Sequence, residues 1–255
     1  MKSLIGACVI AFSMYSRIPM LKIEWTKERM RYALCFFPMI GVVIGILIWL
    51  GVFLWNKELL NGQNPVFFAC MGTVIPLLVT GGIHMDGFLD VTDARSSYGS
   101  REKKLDILKD PHTGAFAILG CGVYLLLYIG FFSLLSYEKA IVFAGSFVLT
   151  RALSGLSVVC FPKAKQTGLA ALFSSQAEKR IVAASMLVWI MLWCVACTVF
   201  SDLGTMLVCL AAALLVFFYY YKMSMREFGG ITGDLAGYFL QVCELVLLMT
   251  VTLVV

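Results

Sequence analysis

The sequence predicts an all-α fold: a polytopic bundle of transmembrane helices forming a single integral membrane domain over residues 1–255. Three observations carry this prediction: the composition, the pattern of apolar runs and the placement of basic residues. Of the 255 residues, 61% are hydrophobic and only 14% are charged, whereas about a quarter of the residues in a soluble domain are charged. A soluble core does not accommodate this much apolar surface, so a membrane protein is indicated.

Seven apolar runs alternate with polar segments. A helix needs about 20 apolar residues to cross a bilayer, and lipid-exposed backbone must satisfy its own hydrogen bonds, so each run is expected to be a helix. An earlier run, 3–16, is short for a span and has no signal-peptide cleavage site. We expect it to be an interfacial or re-entrant helix, with an eighth span as the alternative. The seven candidate spans are 33–55, 65–80, 116–136, 140–160, 181–200, 204–221 and 236–255.

The basic residues sort by segment and predict an orientation. Four segments hold fifteen Lys and Arg residues, whereas the segments at the opposite ends of the spans hold only Lys57 and Lys139. Because loops on the cytoplasmic side carry an excess of Lys and Arg, the four basic segments are expected to face the cytoplasm. Their basic residues are Lys22, Lys27, Arg29 and Arg31; Arg95, Arg101, Lys103, Lys104 and Lys109; Lys163, Lys165, Lys179 and Arg180; and Lys222 and Arg226.

Residues 81–115 differ from the rest of the chain, because they hold both histidines and six of the fifteen acidic residues. Asp86, Asp90 and Asp93 stand at i, i+4 and i+7, which places them on one helical face. Clustered carboxylates repel one another unless a cation lies among them, and hard oxygen ligands suit Mg²⁺ or Mn²⁺. The spacing predicts an acidic cytoplasmic loop with a divalent-metal site suited to phosphoryl transfer.

A second acidic pair follows. Asp106 and Asp110 repeat the i, i+4 spacing, which predicts a second short acidic helix facing the first and supplying further metal ligands. The alternative is a solvated loop whose acids balance nearby bases. His84 falls on the helical face opposite Asp86 and is a candidate phosphate donor or acid–base group, whereas His112 is expected in a loop.

The basic residues of this segment are candidate phosphate ligands, since an Arg guanidinium grips phosphate through two parallel hydrogen bonds. The alternative for each is anchoring at the membrane surface. The candidates are Arg95, Arg101, Lys104 and Lys109.

A further constellation precedes the last span, where residues 226–234 read REFGGITGD. Glycines let backbone approach a ligand closely, and N–H groups at a helix start receive phosphate. Asp234 is either a metal ligand or a helix cap. Arg151 and Glu244 lie inside spans, where ionisable groups are functional candidates, and either bind substrate or pair with each other. The other binding candidates here are Arg226, Gly229, Gly230, Thr232 and Gly233.

With these motifs in view, the chain resembles the cobalamin synthase family, also called adenosylcobinamide-GDP ribazoletransferases. The stretch TGGIHMDGFLDVTDA at 80–94 resembles the family signature, and GGITGDLAGYFLQVCE at 229–244 resembles its ending. The further matches are SRIP at 16–19, FPMIGVVIG at 37–45, LDILKD at 105–110 with Gly114, Ala115 and Phe116, then Arg151 and the loop 161–169.

The resemblance implies an Mg²⁺-dependent enzyme of the bacterial inner membrane that completes cobalamin (vitamin B12) nucleotide-loop assembly. Adenosylcobinamide-GDP would react with α-ribazole or its 5′-phosphate to give adenosylcobalamin or its phosphate and GMP. Lipid is the expected surrounding, no nucleic-acid partner is expected, and homo-oligomerisation is left open. In the implied mechanism, Asp86, Asp90 and Asp93 bind the metal with Asp106 or Asp110; Lys109, Arg95 or Arg101 stabilises the leaving group; and Asp93 or His84 accepts the hydroxyl proton.

Two alternatives belong to other classes. A lipid CDP-alcohol phosphotransferase would show the pattern D-x-x-D-G-x-x-A-R, but Ile83 stands where its first Asp would precede Asp86. A transporter would use Arg151 and Glu244 in its pathway and concentrate polar residues at the midplane. This sequence concentrates them in one loop instead, which favours an enzyme.

Overall fold

A computed structural model describes residues 2–57, 64–165 and 168–254. Within these ranges the chain forms helices and no strand, apart from one isolated parallel bridge between Lys163 and Ile231. Of the loop 161–169, Gln166 and Thr167 lie outside the described residues. The α-helices are α1 (Lys2–Tyr15), α2 (Lys27–Met30), α3 (Phe37–Asn56), α4 (Pro65–Thr80), α5 (Ile83–Ser96), α6 (Arg101–Ile107), α7 (Ala115–Phe132), α8 (Tyr137–Cys160), α9 (Leu169–Gln176), α10 (Lys179–Phe200), α11 (Leu203–Met223) and α12 (Gly233–Leu253).

Six of the helices in the described residues are long and apolar enough to cross a membrane, and they confirm six of the predicted spans. They are α3 with the 3₁₀ turn Ala33–Phe36 that precedes it, α7, α8, α10, α11 with the π-turn Ser224–Phe228 that follows it, and α12. The seventh candidate is α4, which is bent by 97° against α5. The chain is therefore a multi-pass membrane protein. The short N-terminal helix is confirmed as α1, whose 14 residues pack against the 3₁₀ turn.

The bend between α4 and α5 has a local cause. The side chain of Asn64 accepts hydrogen bonds from the backbone N–H groups of Val66 and Phe67, which starts α4. The helix ends where Gly81 (φ 67°) and Gly82 (φ 81°) both adopt the left-handed conformation, which glycine adopts without a steric penalty. Two such residues in succession turn the chain sharply, so α5 leaves the direction of α4.

Helix α8 lies at the centre of the bundle, because α3, α10 and α12 all pack against it. Close contact with α3 depends on small residues: a Cβ added to Gly41 would stand 2.3 Å from the carbonyl oxygen of Phe147. The outward faces of α7, α10 and α11 expose large apolar side chains such as Leu126, Leu187 and Leu215. Such faces suit contact with lipid tails.

The four basic segments meet at one end of the bundle, called here the basic end. They touch one another through hydrogen bonds and ion pairs that link all four. The contacts are the Glu178 N–H donating to the Arg31 carbonyl (3.0 Å), Lys165 Nζ donating to the Leu105 carbonyl (2.9 Å) and Lys104 Nζ paired with Glu227 (2.7 Å). Lys139 lies elsewhere and donates to the carbonyl of Thr252 (3.4 Å).

Candidate active site

Helix α5 carries the predicted acidic face. It begins at Ile83 and ends at Ser96, so Asp86, Asp90 and Asp93 all lie on it, which confirms their shared helical face. Asp86 is exposed, whereas Asp90 and Asp93 are half-buried. The face is therefore open to solvent at one end and covered at the other.

Glycines bring α5 into close contact with α12. A Cβ added to Gly87 would stand 2.7 Å from the backbone oxygen of Asp234, and one added to Gly237 would stand 3.0 Å from the backbone oxygen of His84. Any larger residue would force the helices apart. The close approach sets Asp234 beside the α5 carboxylates. Burial and the negative charges of Asp86, Asp234 and Asp93 raise the pKa of the Asp90 carboxyl.

Asp234 does not cap α12, although capping was one of its two predicted roles. The cap is Thr232, whose side chain accepts a hydrogen bond from the Leu235 N–H (3.2 Å). The Thr232 hydroxyl also donates to Asp234 Oδ2 (3.3 Å). Thr232 thus both caps α12 and holds the Asp234 carboxylate through its hydroxyl.

A cavity of about 540 Å³ opens beside these carboxylates at the basic end, called here the acidic cavity. Its charged lining residues, called here the polar wall, are Asp86, Asp234, Lys109 and Lys165, and most of the remaining lining residues, called here the apolar wall, are apolar. The apolar wall comprises Met14, Tyr15, Leu34, Phe37, Ile83, Leu108, Val158, Ala171, Ile231, Ala236 and Leu240, with His84, Ser154, Thr232 and the glycines 168, 233 and 237 completing the lining.

Lys165 and Lys109 supply positive charge to this cavity. Burial and the nearby charge of Lys109 lower the pKa of Lys165, while the carboxylates of Asp234 and Asp106 act in the opposite direction. Lys109 was predicted as a site residue, and Lys165 was not. The sequence of its loop shows only a basic, glycine-containing segment, because Lys165 is placed by a contact with Leu105, sixty residues away.

His84 lines the apolar wall of the cavity. It lies on the face opposite Asp86, as predicted, and its ring stacks on Tyr15 (6.4 Å between centroids) and meets Phe37 edge-on (5.9 Å). The side chain is 5% exposed, and Nε2 has no hydrogen-bond partner among the residues described.

The prediction of a second acidic helix holding Asp106 and Asp110 is wrong. Helix α6 ends at Ile107, because the residue before a proline, here Asp110, is disfavoured in the helical conformation. Asp110 accepts a hydrogen bond from the backbone N–H of His112 (3.0 Å), which lies in the predicted loop. Asp106 is exposed and paired with Lys109 Nζ (2.8 Å), whose hydrogen bond and charge hold the pKa of that carboxyl below its usual range.

The acidic face suits Mg²⁺ by donor type. In the described part of the chain, no three His, Cys, Asp or Glu side chains are close enough together to hold one metal ion. Mg²⁺, however, is commonly bound by one or two carboxylates, and substrate phosphates and water complete its shell. Asp86 and Asp234, which line the cavity, fit that pattern, and Asp90 lies one turn after Asp86 on the same face of α5.

Four predicted substrate-binding residues lie elsewhere. Arg95, Arg101, Lys104 and Arg226 line a second cavity of about 730 Å³, called here the basic cavity, which shares no lining residue with the acidic cavity. Arg95 is about 140–180° around α5 from Asp86, Asp90 and Asp93. The structure therefore separates these four cations from Lys109.

Arg151 and Glu244 pair with each other inside the bundle. Arg151 Nη1 donates to Glu244 Oε1 (2.7 Å), and neither residue lines either cavity. This arrangement favours the pairing role over substrate binding. Local backbone structure accounts for the glycines at 229 and 230, which both have positive φ (77° and 155°). A Cβ on Gly230 would also stand 2.5 Å from the Ala164 backbone nitrogen beside the Lys163–Ile231 bridge. Gly233 lines the acidic cavity.

Comparison with known proteins gives one consistent result. The profile of the family described as cobalamin-5-phosphate synthase matches residues 7–252. A protein of Lachnoclostridium phytofermentans named adenosylcobinamide-GDP ribazoletransferase is 48% identical over 238 residues, covering 92% of this chain and 89% of its own. Proteins of the same name from Clostridium perfringens strain SM101 and Treponema denticola are 32% and 30% identical, with 96% and 95% of both chains covered. No solved structure matches.

Proposed function

Because the chain belongs to the cobalamin-5-phosphate synthase family, we propose that it is an adenosylcobinamide-GDP ribazoletransferase whose reaction takes place in the acidic cavity. The observation that carries this proposal is that one cavity is lined both by charged side chains of either sign and by apolar and aromatic side chains. The polar wall of Asp86, Asp234, Lys109 and Lys165 suits a diphosphate with a divalent cation, and the apolar wall suits an apolar ring.

The transfer requires one bond to form and one to break. The hydroxyl oxygen of α-ribazole, or of its 5′-phosphate, bonds to the phosphorus nearest the cobinamide arm. The bond from that phosphorus to the bridging oxygen breaks, and GMP leaves with the electron pair. A carboxylate of the polar wall accepts the hydroxyl proton. The products are adenosylcobalamin, or its phosphate, and GMP.

The lysines and the carboxylates near the polar wall have different electrostatic roles in the proposed reaction. Lys109 and Lys165 lie where they attract the diphosphate and offset the charge that develops on the leaving phosphate. Asp86, Asp90 and Asp234 would hold Mg²⁺. Bound there, Mg²⁺ supplies charge neutralisation on the phosphate oxygens. Thr232 keeps Asp234 in position through its hydroxyl.

The apolar wall takes the ring system of α-ribazole. The rings of Tyr15, Phe37 and His84 already contact one another there, and Leu240 completes the surface. Aromatic faces of this kind stack favourably on a planar base. His84 is thereby assigned to base binding, and the proton is left to the carboxylates on the other wall.

The membrane setting follows from the same assignment. The basic end is taken as the cytoplasmic side of the bacterial inner membrane, since Lys and Arg concentrate on that side. Both walls of the acidic cavity are at this end, so nucleotide substrates made in the cytoplasm reach it without crossing the bilayer.

The test is product formation by the purified protein in liposomes. The protein receives adenosylcobinamide-GDP and α-ribazole, with Mg²⁺ or with EDTA, and cobalamin and GMP are measured. We expect both products in equal amounts and only with Mg²⁺. Asp90→Asn should lower the rate about 100-fold, whereas the matched control Asp110→Asn should stay within about twofold, because Asp110 does not line the cavity and, unlike Asp90, is not coupled to the carboxylates of Asp86 and Asp234.

Each possible failure has its own meaning. Full activity of Asp90→Asn at limiting Mg²⁺ would place the metal elsewhere while leaving the reaction intact. Absence of cobalamin from a folded preparation, as judged by a sharp thermal transition, would contradict the proposed reaction itself.

A further inference from the structure

The basic cavity has no part in the proposed reaction. Its walls come from the C-terminal half of α5, the start of α6, the π-turn and α12. Its lining is Thr92, Arg95, Ser96, Tyr98, Gly99, Arg101, Lys104, Arg226, Glu227 and Tyr238. It therefore lies at the basic end, on the side of α5 turned away from the acidic face.

Two of its cations are held in fixed positions. Glu227 pairs with Arg95 (3.3 Å) and with Lys104 (2.7 Å). Arg95 Nη1 also donates to the Tyr238 hydroxyl (3.0 Å), and its guanidinium lies over the rings of Tyr219 and Tyr238 at 5.8 and 5.9 Å. A cation that several neighbouring side chains already hold in place loses little side-chain entropy when it binds a ligand.

The other two cations are exposed, and no acidic side chain among the described residues pairs with them. Within the described residues, Arg101 and Arg226 have no ion-pair partner. Four cations thus face one carboxylate, that of Glu227, in a single cavity. Like charges gathered in a concave surface raise the local potential and attract anions. Arginine forks suit phosphate in particular, because they donate two parallel hydrogen bonds to it.

The surroundings indicate where such a phosphate would come from. Tyr219, whose ring supports Arg95, belongs to α11, where Leu215 and Phe218 are 70% and 60% exposed. That surface suits lipid tails, and the cavity stands at its basic end. A phosphate here could belong to an anionic phospholipid with its tails along α11, or to a soluble phosphate compound.

From these observations we propose that the basic cavity is a binding site for a phosphate group, separate from the catalytic cavity. Arg95 and Lys104 form its fixed floor, and Arg101 and Arg226 close on the ligand from the solvent side. The proposal does not depend on the reaction assigned to the acidic cavity, because the two cavities share no residue.

The test measures stabilisation of the full-length protein in detergent, without Mg²⁺, by two probes added separately: phosphatidylglycerol and inorganic phosphate. Phosphatidylcholine, which has no net charge, is the lipid control. We compare the unchanged protein with Arg101→Gln/Arg226→Gln and with Lys103→Gln/Lys222→Gln. The second pair removes the same charge from the same helical regions, but neither of its residues lines the cavity.

We expect a saturable rise in melting temperature with at least one of the two phosphate probes. The apparent affinity should fall about tenfold or more in the arginine pair, since each lost contact is a charge-assisted hydrogen bond, and it should change little in the lysine pair. A response to phosphatidylglycerol alone would identify a lipid site, and a response to inorganic phosphate would identify a site for soluble phosphates. Should the arginine pair not fold, Arg226→Gln alone is used.

Two results would overturn the proposal. One is the absence of saturable stabilisation by either phosphate probe in the unchanged protein. The other is an equal loss of affinity in the arginine and lysine pairs, because that would reflect the general charge of the surface and not the cavity.

Discussion

Arg151 and Glu244 are charged side chains with almost no solvent exposure, 0% and 1%, in the centre of the bundle. Their ion pair is 2.7 Å long, and Arg151 Nη1 also donates to the carbonyl of Phe147 (3.1 Å). Nε and Nη2 of Arg151 have no hydrogen-bond partner among the residues described. The pair is therefore only partly satisfied, and its two charges depend on each other.

We expect Arg151→Met and Glu244→Leu each to destabilise the protein by about 3–5 kcal/mol, because either change leaves one buried charge alone. The double variant should lose much less than the sum, since an apolar pair of similar volume replaces two desolvated charges. Thermal unfolding in detergent measures all three. Additive losses would show that the two side chains stabilise the bundle independently.

At this scale the sequence predicts residue types better than residue partners. Ionisable residues inside apolar runs mark Arg151 and Glu244 as a candidate pair, and the spacing of Asp86, Asp90 and Asp93 marks their common face. Lys165 and the aromatic wall of Tyr15 and Phe37 carry no such signal. Their place in the site depends on contacts between distant segments, which local patterns do not encode.

The shape of the acidic cavity depends on the packing of helix α5 against helix α12. Helix α5 is a 14-residue helix that leaves α4 at a 97° bend, and it is held against α12 by the close approach at Gly87 and Gly237. This contact sets the separation between the α5 carboxylates and Asp234.

We expect Gly87→Ala to lower activity at least about tenfold, because its Cβ would stand 2.7 Å from the backbone oxygen of Asp234 and must push the helices apart. A misplacement of about 1 Å in a site costs rate out of proportion to its size. The matched control is Gly122→Ala on α7, where an added Cβ has no atom within 4 Å. Rates are measured at saturating Mg²⁺ and substrates.

The control variant should fold at least as well as the unchanged protein, because alanine has the higher helix propensity. Full activity of Gly87→Ala with unchanged stability would show that the distance between α5 and Asp234 does not limit the reaction.

Helix boundaries show what the sequence predicts at the scale of elements. The long apolar runs predict α3, α7, α8, α10, α11 and α12 to within a few residues. The i, i+4 spacing of Asp106 and Asp110, however, suggests one helix that includes both residues. In the structure that helix ends at Ile107, before Asp110. Spacing alone does not distinguish a helix from a turn, and here Pro111 ends the helix.

The number of times the chain passes between the two ends of the bundle can be counted from the basic end. Helix α4 has only 16 residues, yet its Val79 carbonyl accepts a hydrogen bond from the Arg17 N–H (2.8 Å), and Arg17 precedes the first basic segment. The chain therefore returns to the basic end through α4. With the six long helices, this makes seven passages between the ends of the bundle in the described part of the chain.

An odd number of passages predicts opposite sides of the membrane for the basic end and the end of α12. We expect alkaline phosphatase, which is active only outside the cytoplasm, to be active when fused after Val255 and inactive when fused after Gly99 in the loop between α5 and α6. Green fluorescent protein should give the reverse pattern, because it fluoresces when it folds in the cytoplasm. Alkaline phosphatase activity at both positions would contradict seven passages. A fully reversed pattern would keep the seven passages but place both cavities outside the cell, where cytoplasmic nucleotides do not reach them.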